Sequence, residues 1–347
     1  MNADFFEALD QLEKERSIPR AFMLEKLQLA FAAALRNDPA VGGENVEIEI
    51  DEEEHTMQAH VLKDIVEEVE EPMMQATLEQ AHAFDATLAV GDVLRIPVDT
   101  SKFGRIAAQT AKQVIMQGIR EAERGIIFQA YQSKQHEILS AVVQRIDPRS
   151  GNAYLKMSDG EDTEIMLPAL EQIKGEQLVE GAHIKVYVAE VRQAVKGPQI
   201  FISRNHPGIV RRLFELEVPE IADGTIEIVN LVREAGSRTK MAVRSLDANV
   251  EAVGSCVGHR GARVNRIVDE LGGEKVDIFP YSDDIETYIS RALLPAKVTS
   301  VEIIGEDPRS ARVIVPEDQL SLAIGKEGQN ARMAARLCET KIDIKAE

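Results

Sequence analysis

Tryptophan is missing from this chain, and phenylalanine and tyrosine supply only 4% of its residues. A nucleic-acid surface built on stacked aromatic side chains therefore has little material to draw on. Cysteine is almost absent as well, with only Cys256 and Cys338. They make neither a disulfide framework nor a metal-ligand set, which suits a reducing, cytosolic setting, and small apolar packing is the expected role of both. No apolar stretch reaches transmembrane length and none at the N-terminus resembles a signal peptide, so no membrane is expected as a partner. Catalytic signatures are lacking too. There is no phosphate-binding P-loop, no paired His/Cys metal spacing and no nucleophile elbow, so the chain is expected not to be an enzyme and to need no cofactor or metal. The seven histidines are scattered, with His55 and His60 on an acidic hairpin where solvated side chains are the ordinary outcome.

Positive charge is scarce in a particular place. The net charge is -19, and residues 1–135 hold 13 Lys+Arg against 25 Asp+Glu, residues 136–203 hold 7 against 10, and residues 204–347 hold 20 against 24. The acidity is concentrated in the first third. Nonspecific attraction to a polyanion should be weak and salt-sensitive, so any nucleic-acid contact must rest on local basic clusters.

One stretch organises the rest. Residues 319–337 read QLSLAIGKEGQNARMAARL, an apolar run entering Gly325-Lys326-Glu327-Gly328, followed by Ala331, Ala334, Ala335 and Leu337 at helical spacing. The alternating run 311–315 precedes it and the strand-like KIDI at 341–344 follows. Strand, helix, GxxG, helix, strand is the core of a KH nucleic-acid-binding module. Glycines suit such a loop because a sugar-phosphate backbone can lie against a main chain that has no Cβ in the way. The helix behind it directs N–H groups and a positive dipole end at a phosphate. Lys326 adds a point charge and Glu327 opposes it.

A second copy makes the pattern specific. Gly258-His259-Arg260-Gly261 is followed by a helical stretch over 262–271 and by KVDI at 275–278, which matches KIDI, and TKMAV at 239–243 supplies the leading strand. A repeated unit with the same closing strand is an internal duplication. Two basic clusters, Arg260, Arg263 and Arg266 in one copy and Arg332 and Arg336 in the other, have helical spacing. They could contact RNA, with His259 able to add a hydrogen bond, or they could form surface ion pairs with acids such as Asp269 and Glu339. The sequence leaves both open.

The remaining segments read in order. Residues 5–16 and 21–36 are amphipathic and helical, with a stop at 37–39. ENVEIEI at 44–50 and MQAHVLKDIVEEVE at 57–70 alternate as a hairpin with one acidic face, and a short helix over 77–84 and a strand over 93–98 complete an α/β head. Residues 103–133 contain no proline and carry an apolar periodicity that predicts one long helix, with Gly104, Gly118 and Gly125 as its weak points. That helix could be a spacer or, less favoured, a dimerisation surface. Residues 136–204 form about five short alternating runs separated by turns, as in an OB-type barrel. Tyr154, Tyr187 and Phe201 are its only aromatics of note, and core or spacer positions are expected for them. A helix and a strand precede each KH core, which suits the bacterial variant of the fold, and no flexible linker separates the two units. The expected fold class is therefore multidomain α+β: an N-terminal domain over 1–135, the barrel over 136–204, and KH units over 205–282 and 283–347.

That order resembles the NusA family of bacterial transcription factors. FGRIAAQTAKQVI at 103–115, HPGIVRRLFELEVPEIADG at 206–224, REAGSRTKMAV at 233–243, VGHRGARV at 257–264 and LSLAIGKEGQNARMAARL at 320–337 carry the resemblance, which covers essentially the whole chain. It implies a non-enzymatic elongation factor whose head binds core RNA polymerase and whose barrel and KH units contact nascent single-stranded RNA. Pausing, intrinsic termination and antitermination are the processes such a factor modulates, in the cytoplasm, as a monomer, with other antitermination factors joining. On this resemblance Gly258, Gly261, Gly325 and Gly328 become RNA-clamping positions, with Arg263, Lys326 and Arg332 as phosphate or base contacts. Ser140 and Tyr281 stand where the family commonly has Gly and Trp. Acidic C-terminal repeats of some members have no counterpart before Glu347, so the chain is expected to be either the short form of the family or a longer member whose tail was removed. Phosphorolytic exoribonucleases also combine a barrel with KH, but their large catalytic domains have no equivalent here. An RNA-binding adaptor that never meets polymerase remains the main rival, and the acidic head and long helix argue against it.

Overall fold

Leu24, Leu27, Phe31 and Leu35 recur three or four residues apart along the first described helix, α1 (Arg20–Arg36), and all are buried. The computed structural model describes residues 13–14, 19–36, 45–51, 56–98, 104–158, 163–194 and 197–347. Apart from residues 13–14, the helix expected over 5–16 lies outside these, as do its neighbour's stop at 37–39 and the acidic turn at 52–54. The chain divides into two units, Met1–Ile127 and Phe128–Glu347.

In the first unit α1 packs on β1 (Asn45–Asp51) and β2 (Thr56–Val66), an antiparallel pair with Val46 opposite Val61 and Ile48 opposite Ala59. Strict alternation puts those four residues on the covered face. β2 also pairs antiparallel with β4 (Val93–Pro97) and parallel with the three-residue β3 (Gln75–Thr77), which the sequence does not signal. The second strand was expected to run on to residue 70 but ends at Val66, where the acidic run 67–71 turns. α2 (Leu78–His82) starts in a capping box, with Thr77 Oγ1 accepting from Gln80 N at 3.2 Å and Gln80 Oε1 accepting from Thr77 N at 3.1 Å. On β1, Glu47 and Glu49 lie 3.1 and 3.8 Å from Arg95 of β4, so the acidic face is partly neutralised by its own sheet.

α3 (Gly104–Gln132) is unbroken over 29 residues, roughly 43 Å at 1.5 Å per residue. Gly118 and Gly125 do not interrupt it. Val114, Ile115, Ile119 and Ala122 pack against the α1 core, which supplies the tertiary contact that outweighs the low helix propensity of glycine.

The second unit begins with five antiparallel strands, β5 (Ile138–Ile146), β6 (Ala153–Met157), β7 (Glu164–Leu167), β8 (His183–Ala194) and β9 (Gly197–Ser203), in the order β7-β6-β5-β8-β9. The outer strands β7 and β9 approach one another, so the sheet is a nearly closed barrel. Bulges at Val143/Arg145 and Val188/Glu190 bend the two longest strands. Alternate residues such as Ala141, Val143, Leu155, Ile165, Val186 and Ile202 fill the interior.

Two mixed three-stranded sheets follow. The first joins β10 (Ile226–Glu234), β11 (Arg238–Ser245) and β12 (Lys275–Pro280), and the second joins β13 (Ser300–Glu306), β14 (Arg309–Val315) and β15 (Lys341–Ala346). In each, the first pair is antiparallel and the second parallel. The first sheet is covered by α4 (Pro207–Glu217), α5 (Pro219–Ala222), α6 (Ala252–Val257) and α7 (Ala262–Glu270). The second is covered by α8 (Ile285–Ala292), α9 (Leu320–Ile324) and α10 (Gln329–Leu337), and Ala242 and Phe279 of the first three-stranded sheet complete its core. Both cysteines are buried in these cores, as expected of apolar packing.

Charged side chains join barrel and sheets. Arg204, at the end of the barrel, lies between Glu176 of the barrel and Glu270 of α7. Arg233 of β10 donates to the carbonyls of Arg204 and His206 at 2.7 and 3.0 Å while its guanidinium is held by Glu274. Lys240 of β11 lies 3.2 Å from Asp277 and donates to the Leu294 carbonyl at 2.7 Å, tying the first sheet unit to the second. Loss of water around Lys240 lowers its pKa, with Asp277 opposing.

Candidate nucleic-acid interface

Both GxxG loops have one backbone conformation. Gly258 has φ 76° and ψ 172°, and Gly325 has φ 74° and ψ 172°. Next but one, Arg260 and Glu327 are left-handed at φ 52° and 53°, and Gly261 and Gly328 are left-handed at φ 78° and 73°. The region occupied by Gly258 and Gly325 is open essentially to glycine alone. Space enforces it too. A Cβ at Gly258 would lie 2.8 Å from Arg263 Cγ, and one at Gly325 would lie 2.8 Å from Asn330 N. A turn closes each loop, with Gly261 N donating to Gly258 O and Gly328 N to Gly325 O, both at 3.1 Å.

The helices behind the loops, α7 and α10, begin directly after a left-handed glycine that carries no capping side chain. The first N–H of each helix, on Ala262 and Gln329, donates back to the carbonyls of His259 and Lys326, and the positive dipole end of each helix faces the loop without a side-chain cap, an end that suits a phosphate. Asn330, buried in α10, donates to the Leu293 carbonyl at 2.9 Å and the Ala323 carbonyl at 3.1 Å, fixing α10 against α8 and α9. The basic clusters on both helices are more constrained than their helical spacing suggests.

In the first copy Gly258, His259, Arg263 and Arg266 line a groove of about 750 Å3 whose walls include Glu220 and Glu251. His259, Arg260 and Arg266 are exposed and Arg263 is half-buried. Arg263 Nη1 donates to the Ser255 carbonyl at 2.7 Å and lies 3.0 Å from Glu220, while Arg266 Nη1 lies 3.0 Å from Glu217. In the second copy Lys326, Glu327, Gln329 and Arg332 line a cleft of about 680 Å3 together with Lys174 of the barrel and Glu234–Ser237 of the first copy. Arg332 lies 3.0 Å from Glu234 and donates to the Glu327 carbonyl at 3.2 Å, and Gln329 donates to Glu234 at 2.8 Å. The Gln329 hydrogen bond and the Arg332 charge hold the Glu234 carboxyl below its ordinary range. Arg336 is exposed on the same helix.

The structure thus gathers Gly258, His259, Arg263 and Arg266 around one groove and Lys326 and Arg332 around another, with Arg260 and Arg336 outside both linings. Ion pairing of these arginines is real, but with Glu217, Glu220 and Glu234 rather than the suggested Asp269 and Glu339. Those acids lie on α4, α5 and β10, and helical spacing within the cluster carries no signal of them.

The barrel aromatics fall into three environments. Tyr187 is buried and stacks on His206, ring centroids 4.7 Å apart and planes within 5°. Tyr154 is half-buried beneath the Arg145 guanidinium, 3.4 Å from its centroid. Phe201 is not in the core, since it is 42% exposed, with Arg192 5.3 Å over its ring. It lines a shallow groove of about 390 Å3 with Met166, Pro168 and Gln199.

Two helix–GxxG–helix elements, each on a mixed sheet with a parallel second pair, define a protein with tandem KH RNA-binding domains attached to a barrel-like sheet. Family comparison assigns residues 4–125 to the NusA N-terminal domain, 204–281 to the NusA-like first KH domain and 285–347 to the NusA-like second KH domain. The chain is 44% identical over its full length to the transcription termination/antitermination protein NusA of Bacillus subtilis, covering 92% of that protein. It is 38% identical to the protein of the same name from Thermus thermophilus, over 97% of this chain and 88% of that one. The solution structure of the N-terminal domain of B. subtilis NusA matches 36% of this chain and 99% of its own, at 37% identity and a TM-score of 0.32. The chain belongs to the NusA family of transcription termination/antitermination proteins. Among the described residues no helix is long and apolar enough to cross a membrane.

Proposed function

We propose that this protein is a non-enzymatic transcription elongation factor that binds core RNA polymerase through residues 1–135 and nascent single-stranded RNA through the barrel (136–204) and the KH units (205–282 and 283–347). The observation that carries the RNA half is the repeated loop. Two GxxG turns with the same glycine-only backbone, each opening a helix whose positive dipole end carries no side-chain cap, support two phosphate seats on one block. Gly258, Gly261, Gly325 and Gly328 admit the backbone, and His259, Arg260, Arg263, Arg266, Lys326, Arg332 and Arg336 supply charge and hydrogen bonds.

The polymerase half is supported by charge and by family membership. The first 135 residues have nearly twice as many acidic as basic side chains, which repel RNA and suit a basic protein surface. A factor tethered to polymerase at one end and holding transcript at the other alters pausing, intrinsic termination and antitermination by changing how the emerging RNA folds. It acts in the cytoplasm as a monomer, without cofactor or metal, and other antitermination factors share the assembly.

Co-elution of the full chain, and of residues 1–135, with core RNA polymerase on a sizing column at moderate salt tests this reading. Binding by both is the expected result. Binding by neither leaves an RNA-binding adaptor and removes the elongation reading.

A further inference from the structure

Three arginines behind the GxxG loops are already occupied. Arg263 and Arg266 of α7 are paired with Glu220 and Glu217, and Arg332 of α10 is paired with Glu234, each at 3.0 Å. The acids reach the two loops from unrelated places. Glu220 belongs to α5, ahead of the first three-stranded sheet and within the same KH copy as Arg263, whereas Glu234 ends β10 of the first KH copy and reaches Arg332 of the second. The two arginines are also offset. Arg263 is the second residue after its loop and Arg332 the fourth. Even so, the outcome matches. Each guanidinium bridges a main-chain carbonyl, that of Ser255 in the helix before the first loop or of Glu327 within the second, and a carboxylate on the groove wall. Duplication copies equivalent positions, so it does not account for one arrangement rebuilt twice from non-equivalent ones.

We propose that Glu220 and Glu234 set the RNA affinity of the two loops by standing, in the RNA-free protein, where phosphate oxygens pair with Arg263 and Arg332. This rests on the reading of the loops as RNA clamps. Carboxylate and phosphate offer a guanidinium the same fork of acceptor oxygens, so one replaces the other without moving the arginine. Binding is then an exchange in which two carboxylate pairs break and two phosphate pairs form. The pairs are weak enough to give way, since the Arg332 side chain is 51% exposed and that of Arg263 30%. A strand seated on the glycines gains close contact with the loop main chain and the positive dipole end of the helix to drive the exchange. A polyanion that is not seated has only Coulomb attraction, against two local carboxylates and a net charge of -19. The two acids therefore favour single strands held by the loops over other polyanions.

The test uses the full chain, an unstructured single-stranded RNA long enough to reach both loops, and heparin as the unseated polyanion, all at one fixed salt concentration. Glu220→Gln, Glu234→Gln and the double variant are titrated by fluorescence anisotropy, with thermal midpoints measured alongside. Glu49→Gln, in the N-terminal unit, controls for the change in net charge. The double variant should bind RNA about fivefold tighter than the parent, and its heparin affinity should rise by a larger factor. Adding Arg332→Ala to Glu234→Gln should abolish that variant's gain. Unchanged or weaker RNA binding by the folded glutamine variants overturns the proposal, a weaker one meaning that the acids position the arginines for RNA. The clamp reading fails separately, if Gly258→Asp and Gly325→Asp leave RNA affinity unchanged. If those weaken binding and the glutamines do not tighten it, the carboxylate proposal alone falls.

Discussion

The Arg233 guanidinium and the Glu274 carboxylate lie 2.9 Å apart with both side chains fully shielded from solvent. Glu274 also accepts from Gly236 N at 2.9 Å and Thr239 Oγ1 at 2.6 Å, and Arg233 spends another N–H group on the Arg204 carbonyl. Every charge at this barrel-to-sheet junction is therefore met by an opposite charge or a hydrogen bond. Removing one partner strands the other. Glu274→Ala or Arg233→Ala should lower unfolding free energy by about 3 kcal/mol or more, read as a fall in the denaturant midpoint. The paired change Arg233→Met with Glu274→Leu should cost much less than the two single changes added together.

The GxxG prediction concerns binding without unfolding. Aspartate at Gly325 must adopt φ 74° and place Cβ 2.8 Å from Asn330 N, and at Gly258 the obstacle is the flexible Arg263 stem at 2.8 Å. Strain of about 1–3 kcal/mol is expected at either site, with Gly325→Asp the costlier. Each should weaken RNA binding, since a carboxylate and a Cβ now occupy the phosphate path, while co-elution with polymerase is retained. Loss of polymerase binding in a variant that keeps its RNA affinity would reverse the assignment.

Much of this was legible in the residues, for physical reasons that differ by element. Alternation fixed the barrel strands because each has one covered face, and the duplicated GxxG was visible because no other residue adopts that turn. The three-residue β3 is too short to show a period, and it forms only because Ile65 offers it a parallel partner. Nothing in the sequence marks Arg204, Arg233 and Lys240 as interior, yet all three are buried, their charges met by Glu176, Glu274 and Asp277 far along the chain. The acids that hold the KH arginines were equally hidden, being non-local. Phe201 went the other way, an aromatic in an alternating strand that faces solvent.

His206 ties acid stability to a helix cap. Its Nδ1 accepts from Gly208 N at 3.0 Å at the start of α4, and its ring stacks on Tyr187. Loss of water against Tyr187 lowers the imidazole pKa below 6.5, Glu171 opposes, and His136 and Arg233 add to the drop. A folded-state pKa below the unfolded one means that the native state binds fewer protons in this window. The contribution is therefore complete above the unfolded value and disappears as pH falls through the folded one. His206→Asn keeps a capping acceptor and does not titrate. Urea midpoints at about pH 7.5 and 5.5 should fall less in this variant than in the parent, and an equal fall would remove His206 from the account.

Phe201 separates a folding role from a binding role within the barrel. With 42% of its surface exposed and Arg192 beside its ring, it contributes little to the interior, so Phe201→Ala should leave the thermal midpoint nearly unchanged. Tyr187→Ala is the contrast, because a buried ring stacked on His206 leaves a cavity costing about 3 kcal/mol. If RNA crosses the barrel, Phe201 is the most exposed of the three aromatics, with Arg192 5.3 Å over its ring, whereas Tyr187 is stacked on His206 and Arg145 lies 3.4 Å over Tyr154. Stacking of one base is worth about 1 kcal/mol or more, so anisotropy titrations of Phe201→Ala should show at least fivefold weaker RNA binding. Affinity equal to the parent's would mean that the strand bypasses this face and that RNA contact rests on the two KH loops.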